Sequence, residues 1–156
     1  MFEVSVQETF AAAHFLRGYQ GKCERLHGHN YRAEVTVEGP LNEDGCVFDF
    51  IALRARAKEI TDELDHHMLV PTGNPVFQVF PDDRIVHMIY KDREWLFPRG
   101  DCVVLPIENT TAELIAKYLA ARLATALKQR HQFVPELLRV EVEESVGVSA
   151  IYEWRG

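Results

Sequence analysis

The sequence predicts an α+β fold, an antiparallel sheet covered by helices on one face. Two observations carry this. Runs such as Tyr31, Ala33, Val35 and Val37 alternate with polar residues, the period of a half-buried strand. Each half of the chain is rich in such runs and also holds one stretch whose apolar residues follow helical spacing, so sheet and helices must cover each other.

Residues 2–10 read as the first long strand, and Phe10-Ala11-Ala12-Ala13 brings it to His14. Residues 31–38 read as the second, and Gly39 to Gly45 as a turn. Residues 46–49 are expected to make a short third strand ending at Asp49, which is placed to cap a helix beginning near Phe50. Ile51, Leu53, Ala57, Ile60 and Leu64 form the apolar stripe of that helix. In the second half, Thr110-Thr111-Ala112-Glu113 opens a helix with a Thr cap and an acidic first turn. Leu114, Ile115, Tyr118, Leu119, Leu123 and Leu127 continue it to about Arg130. Strands 137–143 and 148–154 close the chain around a Val146-Gly147 turn. The segment 71–107 stands apart. Its five prolines, its aromatics and its basic residues Arg84, Lys91, Arg93 and Arg99 suggest extended arms or strands. Such an insertion either packs on a neighbour as an elaborated hairpin or covers an active site as a lid.

With 156 residues the chain suffices for one domain, 1–156, that includes this insertion. A net charge of −7 argues against a nucleic-acid backbone as partner. No secretory signal and no membrane-spanning run is evident, so a cytoplasmic protein is expected. Three cysteines without an export signal fit reduced thiols. Cys46 and Cys102 sit in apolar stretches and read as core residues.

Chemistry concentrates in Cys23-Glu24-Arg25-Leu26-His27-Gly28-His29 and the preceding His14. Neutral imidazoles are common zinc ligands, and three of them leave a position open for water or substrate. If His27 to His29 lead into the second strand, both rings point to one face, and a hairpin brings His14 beside them. A polar turn is the plainer reading of His-Gly-His-Asn. Asp65-His66-His67 follows the first helix. There a carboxylate can orient and tune an imidazole, and beside Cys23 the pair would help form a thiolate. Alone, it also reads as a solvated helix end.

Together the two constellations resemble the 6-pyruvoyl-tetrahydropterin synthase / 6-carboxy-tetrahydropterin synthase family. The resemblance rests on Phe10 through His14, Cys23 through Tyr31, Gly45 through Phe50, Leu64-Asp65-His66, Thr111-Ala112-Glu113 and Glu144-Ser145. It implies the tunnelling fold, a four-stranded antiparallel sheet with two helices on one face. It implies a homo-oligomer, a trimer or a dimer of trimers, with active sites between subunits. It implies Zn2+ on His14, His27 and His29. Cys23 would be the general acid or base, supported by Asp65 and His66, and Glu144 would grip the guanidine-like edge of a pterin, helped by Glu113 and Thr111. Glu113 fits equally as a first-turn helix carboxylate.

The resemblance leaves the product open. One branch converts 7,8-dihydroneopterin triphosphate to 6-carboxy-5,6,7,8-tetrahydropterin, toward queuosine. Another makes 6-pyruvoyl-tetrahydropterin. A third uses Glu in place of the Cys and makes 6-hydroxymethyl-dihydropterin. Cys23 and Glu24 are both present, so Glu24 is an alternative acid or base, or a solvent-facing loop charge. Three departures from the family pattern bear on substrate: Val70 where Asn is common, Thr110 where Pro is common, and the long 71–107 segment. The insertion's basic residues, with Lys22 and Arg25, are candidates to receive a triphosphate or are surface charges. The rival classes are a non-catalytic pterin-binding paralogue, an unrelated zinc hydrolase, and a structural or interaction protein.

Overall fold

The structure is a computed structural model describing residues 1–156. Strand β1 (Phe2–His14) pairs antiparallel with β2 (His27–Gly39) over its whole length, from Phe2 opposite Gly39 to His14 opposite His27. Both run past the ends expected from alternation. The small residues Ala11 to Ala13 and Gly28 let the hairpin stay tight to its mouth; a Cβ on Gly28 would lie 3.2 Å from the Ala12 carbonyl oxygen. Helix α1 (Phe50–Asp62) starts on Asp49, whose side chain accepts from the Ala52 N–H at 2.8 Å. Then follow β3 (His67–Pro71), β4 (Gln78–Pro81), β5 (Ile85–Tyr90), β6 (Arg93–Pro98) and β7 (Cys102–Leu105). Helix α2 (Ala112–His131), β8 (Leu137–Ser145) and β9 (Val148–Arg155) complete the chain.

The main sheet has six strands in the order β7-β3-β1-β2-β8-β9. The expected antiparallel four are β1, β2, β8 and β9; β3 and β7 extend them in parallel along the β1 edge. Both helices cover one face. Phe10, Tyr31, Ala33, Val35, Val37, Leu138 and Val140 meet Leu53, Ala57, Ile115, Leu119, Leu123 and Leu127 in a single apolar core. Phe10 and Tyr31, directly opposite in the ladder, stack at 4.9 Å.

Three local expectations fail. Residues 46–49 form no strand: Val47 is buried in the core, Phe48 packs at its edge on Phe133, and Asp49 already caps the helix. Cys46 is exposed at the end of a turn whose Asn42 side chain accepts from its N–H at 2.9 Å, whereas Cys102 is buried as expected. Ile51 is 81 % exposed on the outer side of α1, so the buried stripe is Leu53, Ala57, Ile60 and Thr61, with Leu64 just beyond the helix.

The 71–107 segment is ordered structure. Strands β4, β5 and β6 make a separate antiparallel sheet in the order β4-β5-β6. Its buried side, Val86, Met88 and Tyr90, packs with Phe77, Phe15, Met68, Val70 and Cys102 into a second core. Val70 therefore departs from a polar residue for a physical reason: it is buried beneath the insertion.

Candidate active site

The mouth of the β1–β2 hairpin brings three imidazoles together. Ala12 pairs with His29 and His14 with His27, so all three rings share the helix-facing side of the sheet. Their ligand-capable nitrogens lie within 4.8 Å of one another, with His14 fully buried and the other two partly so. Each ring contacts the next edge-on, at centroid distances of 4.6, 4.8 and 5.1 Å. Outer partners set the orientation. His14 Nδ1–H donates to the Thr110 carbonyl at 2.8 Å, and His27 Nδ1–H donates to the Arg25 carbonyl at 2.7 Å. Those bonds leave each Nε2 with its lone pair free and turned inward, the arrangement of metal-ligating histidines. Burial, more than any neighbouring charge, lowers the His14 pKa to about 4, and burial also lowers that of His29; neutral rings are what a metal needs.

Glu144, at the end of β8, closes the same pocket. Its Oε1 lies 3.3 Å from His14 Nε2 and 3.5 Å from His29 Nε2. Glu144 Oε1 and His29 Nε2 are both buried without a hydrogen-bond partner. A ring nitrogen and a carboxylate oxygen, both buried and without partners, converge there with two further imidazoles, and that donor set fits a zinc-like cation. Burial, then the nearby Glu144 charge, holds the Tyr31 phenol protonated beneath the site.

Cys23 lies on the connection between His14 and His27, in a one-turn helix over Lys22–Glu24. Its carbonyl accepts from the Leu16 N–H at 2.9 Å, and its thiol is partly exposed. Asp65 and His66 are placed elsewhere. Asp65 Oδ1 accepts from the Ala11 N–H at 2.8 Å and Oδ2 from His66 Nδ1–H at 2.8 Å; none of these bonds reaches Cys23. The bond from Ala11, then that from His66, holds the Asp65 carboxyl below its ordinary range. His66 has a positive φ of 58°, costly for a residue with a side chain, and is pinned there by its N–H to the Ala11 carbonyl at 2.6 Å. The His66 ring is 82 % exposed and lines a hollow of about 510 Å³ whose β1–β2 wall is Ala11, Ala12, Ala13, Gly28, His29 and Asn30. Ala11, Ala13, Gly28 and Asn30 occupy the register positions opposite in facing to His14, His27 and His29. Four of the six β1–β2 residues around the hollow thus face away from the three rings, so the hollow opens mainly on the side of the sheet opposite the triad.

Thr111 caps α2, its hydroxyl accepting from the Leu114 N–H at 3.4 Å, and Glu113 is exposed in the first turn. Neither reaches the triad by any hydrogen bond. Sequence reasoning missed Asn109 and Thr110 as site-builders. Asn109 exchanges two hydrogen bonds with the Arg17 backbone, at 3.1 and 3.2 Å, and the Thr110 hydroxyl donates to the Phe15 carbonyl at 3.2 Å. Thr110 registered only as a departure; a polar pair directly before a helix cap was the available signal.

A six-stranded, largely antiparallel sheet, two helices on one face, and a three-histidine cradle at a hairpin mouth beside a thiol-bearing loop define a pterin-synthase-like class of α+β protein. The chain belongs to the 6-pyruvoyl tetrahydropterin synthase family, which it matches over residues 3–155. A Pyrococcus horikoshii protein named as a candidate 6-carboxy-5,6,7,8-tetrahydropterin synthase is 41 % identical over 119 residues, 75 % of this chain and 70 % of that protein. The Haemophilus influenzae 6-carboxy-5,6,7,8-tetrahydropterin synthase is 33 % identical over 128 residues, 79 % of this chain and 82 % of that one. Among solved structures, the 6-pyruvoyltetrahydropterin synthase of Plasmodium vivax, in a form with a catalytic glutamate replaced by alanine, superposes with a TM-score of 0.88. It is 28 % identical and covers 99 % of this chain and 98 % of its own. No helix is long and apolar enough to cross a membrane.

Proposed function

We propose that the whole chain, 1–156, is a zinc-dependent lyase. It would take 7,8-dihydroneopterin triphosphate and water to 6-carboxy-5,6,7,8-tetrahydropterin, acetaldehyde and triphosphate, the cytoplasmic step toward queuosine. The observation that carries this reading is the convergence of three imidazoles with the one partnerless carboxylate oxygen of Glu144, next to a loop bearing a partly exposed cysteine. The named 6-carboxy-tetrahydropterin synthases among the relatives support the product assignment.

His14, His27 and His29 hold the ion. Bound there, zinc supplies Lewis acidity toward the side-chain oxygens of the substrate and so acidifies the neighbouring C–H and O–H groups. Cys23 takes and returns a proton on one side of the substrate chain. Glu144 pairs with two adjacent N–H donors of the pterin, the geometry a carboxylate matches best. Thr111 and Glu113 assist at the pterin end, from this subunit or a neighbour. The Asp65–His66 pair moves protons on the other side. Because its own triad lies across the sheet, a second copy supplies the pair, and the active unit is a trimer or a dimer of trimers.

The test is mass spectrometry of the products after zinc-loaded protein meets 7,8-dihydroneopterin triphosphate. 6-Carboxy-tetrahydropterin with acetaldehyde is expected. 6-Pyruvoyl-tetrahydropterin as sole product would move the chain to another branch, and no pterin product would refute the lyase reading in favour of a pterin-binding paralogue.

A further inference from the structure

The β5–β6 turn of the insertion reaches the loop that carries Cys23. Lys91 Nζ lies 2.5 Å from Glu24 Oε1, and Arg93 Nη2 lies 3.3 Å from Glu24 Oε2. Arg93 Nη1–H also donates to the Glu24 carbonyl at 2.7 Å, and the Tyr90 hydroxyl accepts from the Gly18 N–H at 3.0 Å. Both carboxylate oxygens and the backbone carbonyl of Glu24 are therefore engaged by one turn. The Arg93 guanidinium is held over the rings of Trp95 and Tyr90, at 5.7 and 5.9 Å, so its aim is fixed. Trp95 in turn stacks at 4.4 Å on Phe15, the residue after the ligand His14. The turn is thus tied to the metal cradle at one end and to Glu24, the neighbour of Cys23, at the other.

A carboxylate that acts as general base needs a free lone pair and a proton affinity matched to its task. Glu24 is poorly suited to that here: each of its oxygens faces a cation, and the Lys91 hydrogen bond, above all, holds its carboxyl below the ordinary range. Cys23 has no such competitor for its thiol.

We propose that Lys91 and Arg93 are positioning residues that choose the product. They retain Glu24 as a structural anion and leave Cys23 as the base on this loop. The inference rests on the pterin-lyase reading above. Released from the clamp, Glu24 would be free to run the retro-aldol branch. The C2′ hydroxyl gives its proton to the carboxylate and the C1′–C2′ bond breaks. C2′ leaves within a two-carbon aldehyde that keeps the phosphoryl chain, and the electron pair left at C1′ takes up a proton, giving 6-hydroxymethyl-dihydropterin.

The experiment compares the parent, Lys91→Ala/Arg93→Ala, the same pair with Glu24→Gln, and Glu24→Gln alone, all in a Cys46→Ser background. Two readouts are taken: product ratio from 7,8-dihydroneopterin triphosphate, and the iodoacetamide labelling rate at Cys23 by peptide mass spectrometry. The double variant should raise the hydroxymethyl share about tenfold, and adding Glu24→Gln should abolish that gain. Labelling of Cys23 should change by about threefold or more in both the double variant and Glu24→Gln. An unchanged product ratio in a zinc-retaining double variant, or a gain that survives Glu24→Gln, overturns the proposal. If the parent makes no pterin product, the lyase reading fails, and the clamp is judged on labelling alone. Glu24→Gln leaves the insertion's sequence intact, so its labelling rate decides the matter even if the double variant does not fold: a rate within about twofold of the parent refutes the clamp.

Discussion

At the residue scale, each proposed role separates in a different assay. Cys23→Ala should abolish turnover while zinc content, measured by atomic emission, stays at the parent's level; retained turnover would remove Cys23 from the mechanism. His27→Ala should lose the metal, because it removes one of three converging nitrogens and leaves His14 buried with no third partner. Full zinc occupancy in that variant would refute the cradle. Asp65 offers a test by pH. Its carboxyl is held below its ordinary range by the Ala11 N–H and by His66, so the unfolded chain takes up the proton first on acidification. The stability this bond contributes is present at neutral pH and lost as pH falls beneath the ordinary carboxylate range through the folded-state value. The Tm gap between parent and Asp65→Ala, measured with chelator present, should therefore be widest near neutrality and close in acid. A gap that widens in acid would contradict the assigned bond. These residues were legible because side-chain period two and the HxH spacing fix the facing of His27 and His29 on any strand. What spacing could not tell was that Asp65 and His66 lie across the sheet from the triad, since that depends on β3 pairing with the far edge of β1.

At the element scale, the two caps and the buried helix stripe carry most of what the sequence revealed. Asp49 and Thr111 bond the N–H groups expected of N-caps. Asp49→Ala should cost about 1 kcal/mol by denaturant unfolding. Leu123→Ala, truncating a side chain 1 % exposed between α2 and the sheet, should cost about 3 kcal/mol, whereas Ile51→Ala on the exposed side of α1 should cost almost nothing. Equal costs at the two sites would contradict the helix orientation. The third strand expected at 46–49 failed because a short apolar run is ambiguous without a ladder partner. The insertion was visible as prolines, aromatics and positive charge. Its second core was not, because Phe15, Met68, Val70 and Cys102 come from segments far apart in sequence. The positive charges read as a triphosphate receiver are partly spent inside the protein: Lys91 and Arg93 on Glu24, and Arg99 on the Cys102 carbonyl.

At the scale of the whole molecule, the separation of the triad from the Asp65–His66 pair means that the proposed chemistry needs a second copy of the chain. Cys23→Ala and His66→Ala chains, each inactive alone, should regain activity when unfolded together and refolded as mixed oligomers, because some sites then receive an intact residue from each parent. Failure to regain any activity, with mixed assembly verified by native mass spectrometry, would place both residues in one chain's site. Acetaldehyde release from 7,8-dihydroneopterin triphosphate, measured for zinc-loaded, chelator-stripped and Cys23→Ala protein, decides most directly whether the His14–His27–His29 cradle and Cys23 make a lyase. Release by the zinc-loaded parent alone is expected. Equal release by the stripped protein or by Cys23→Ala, or none from any preparation, would contradict it.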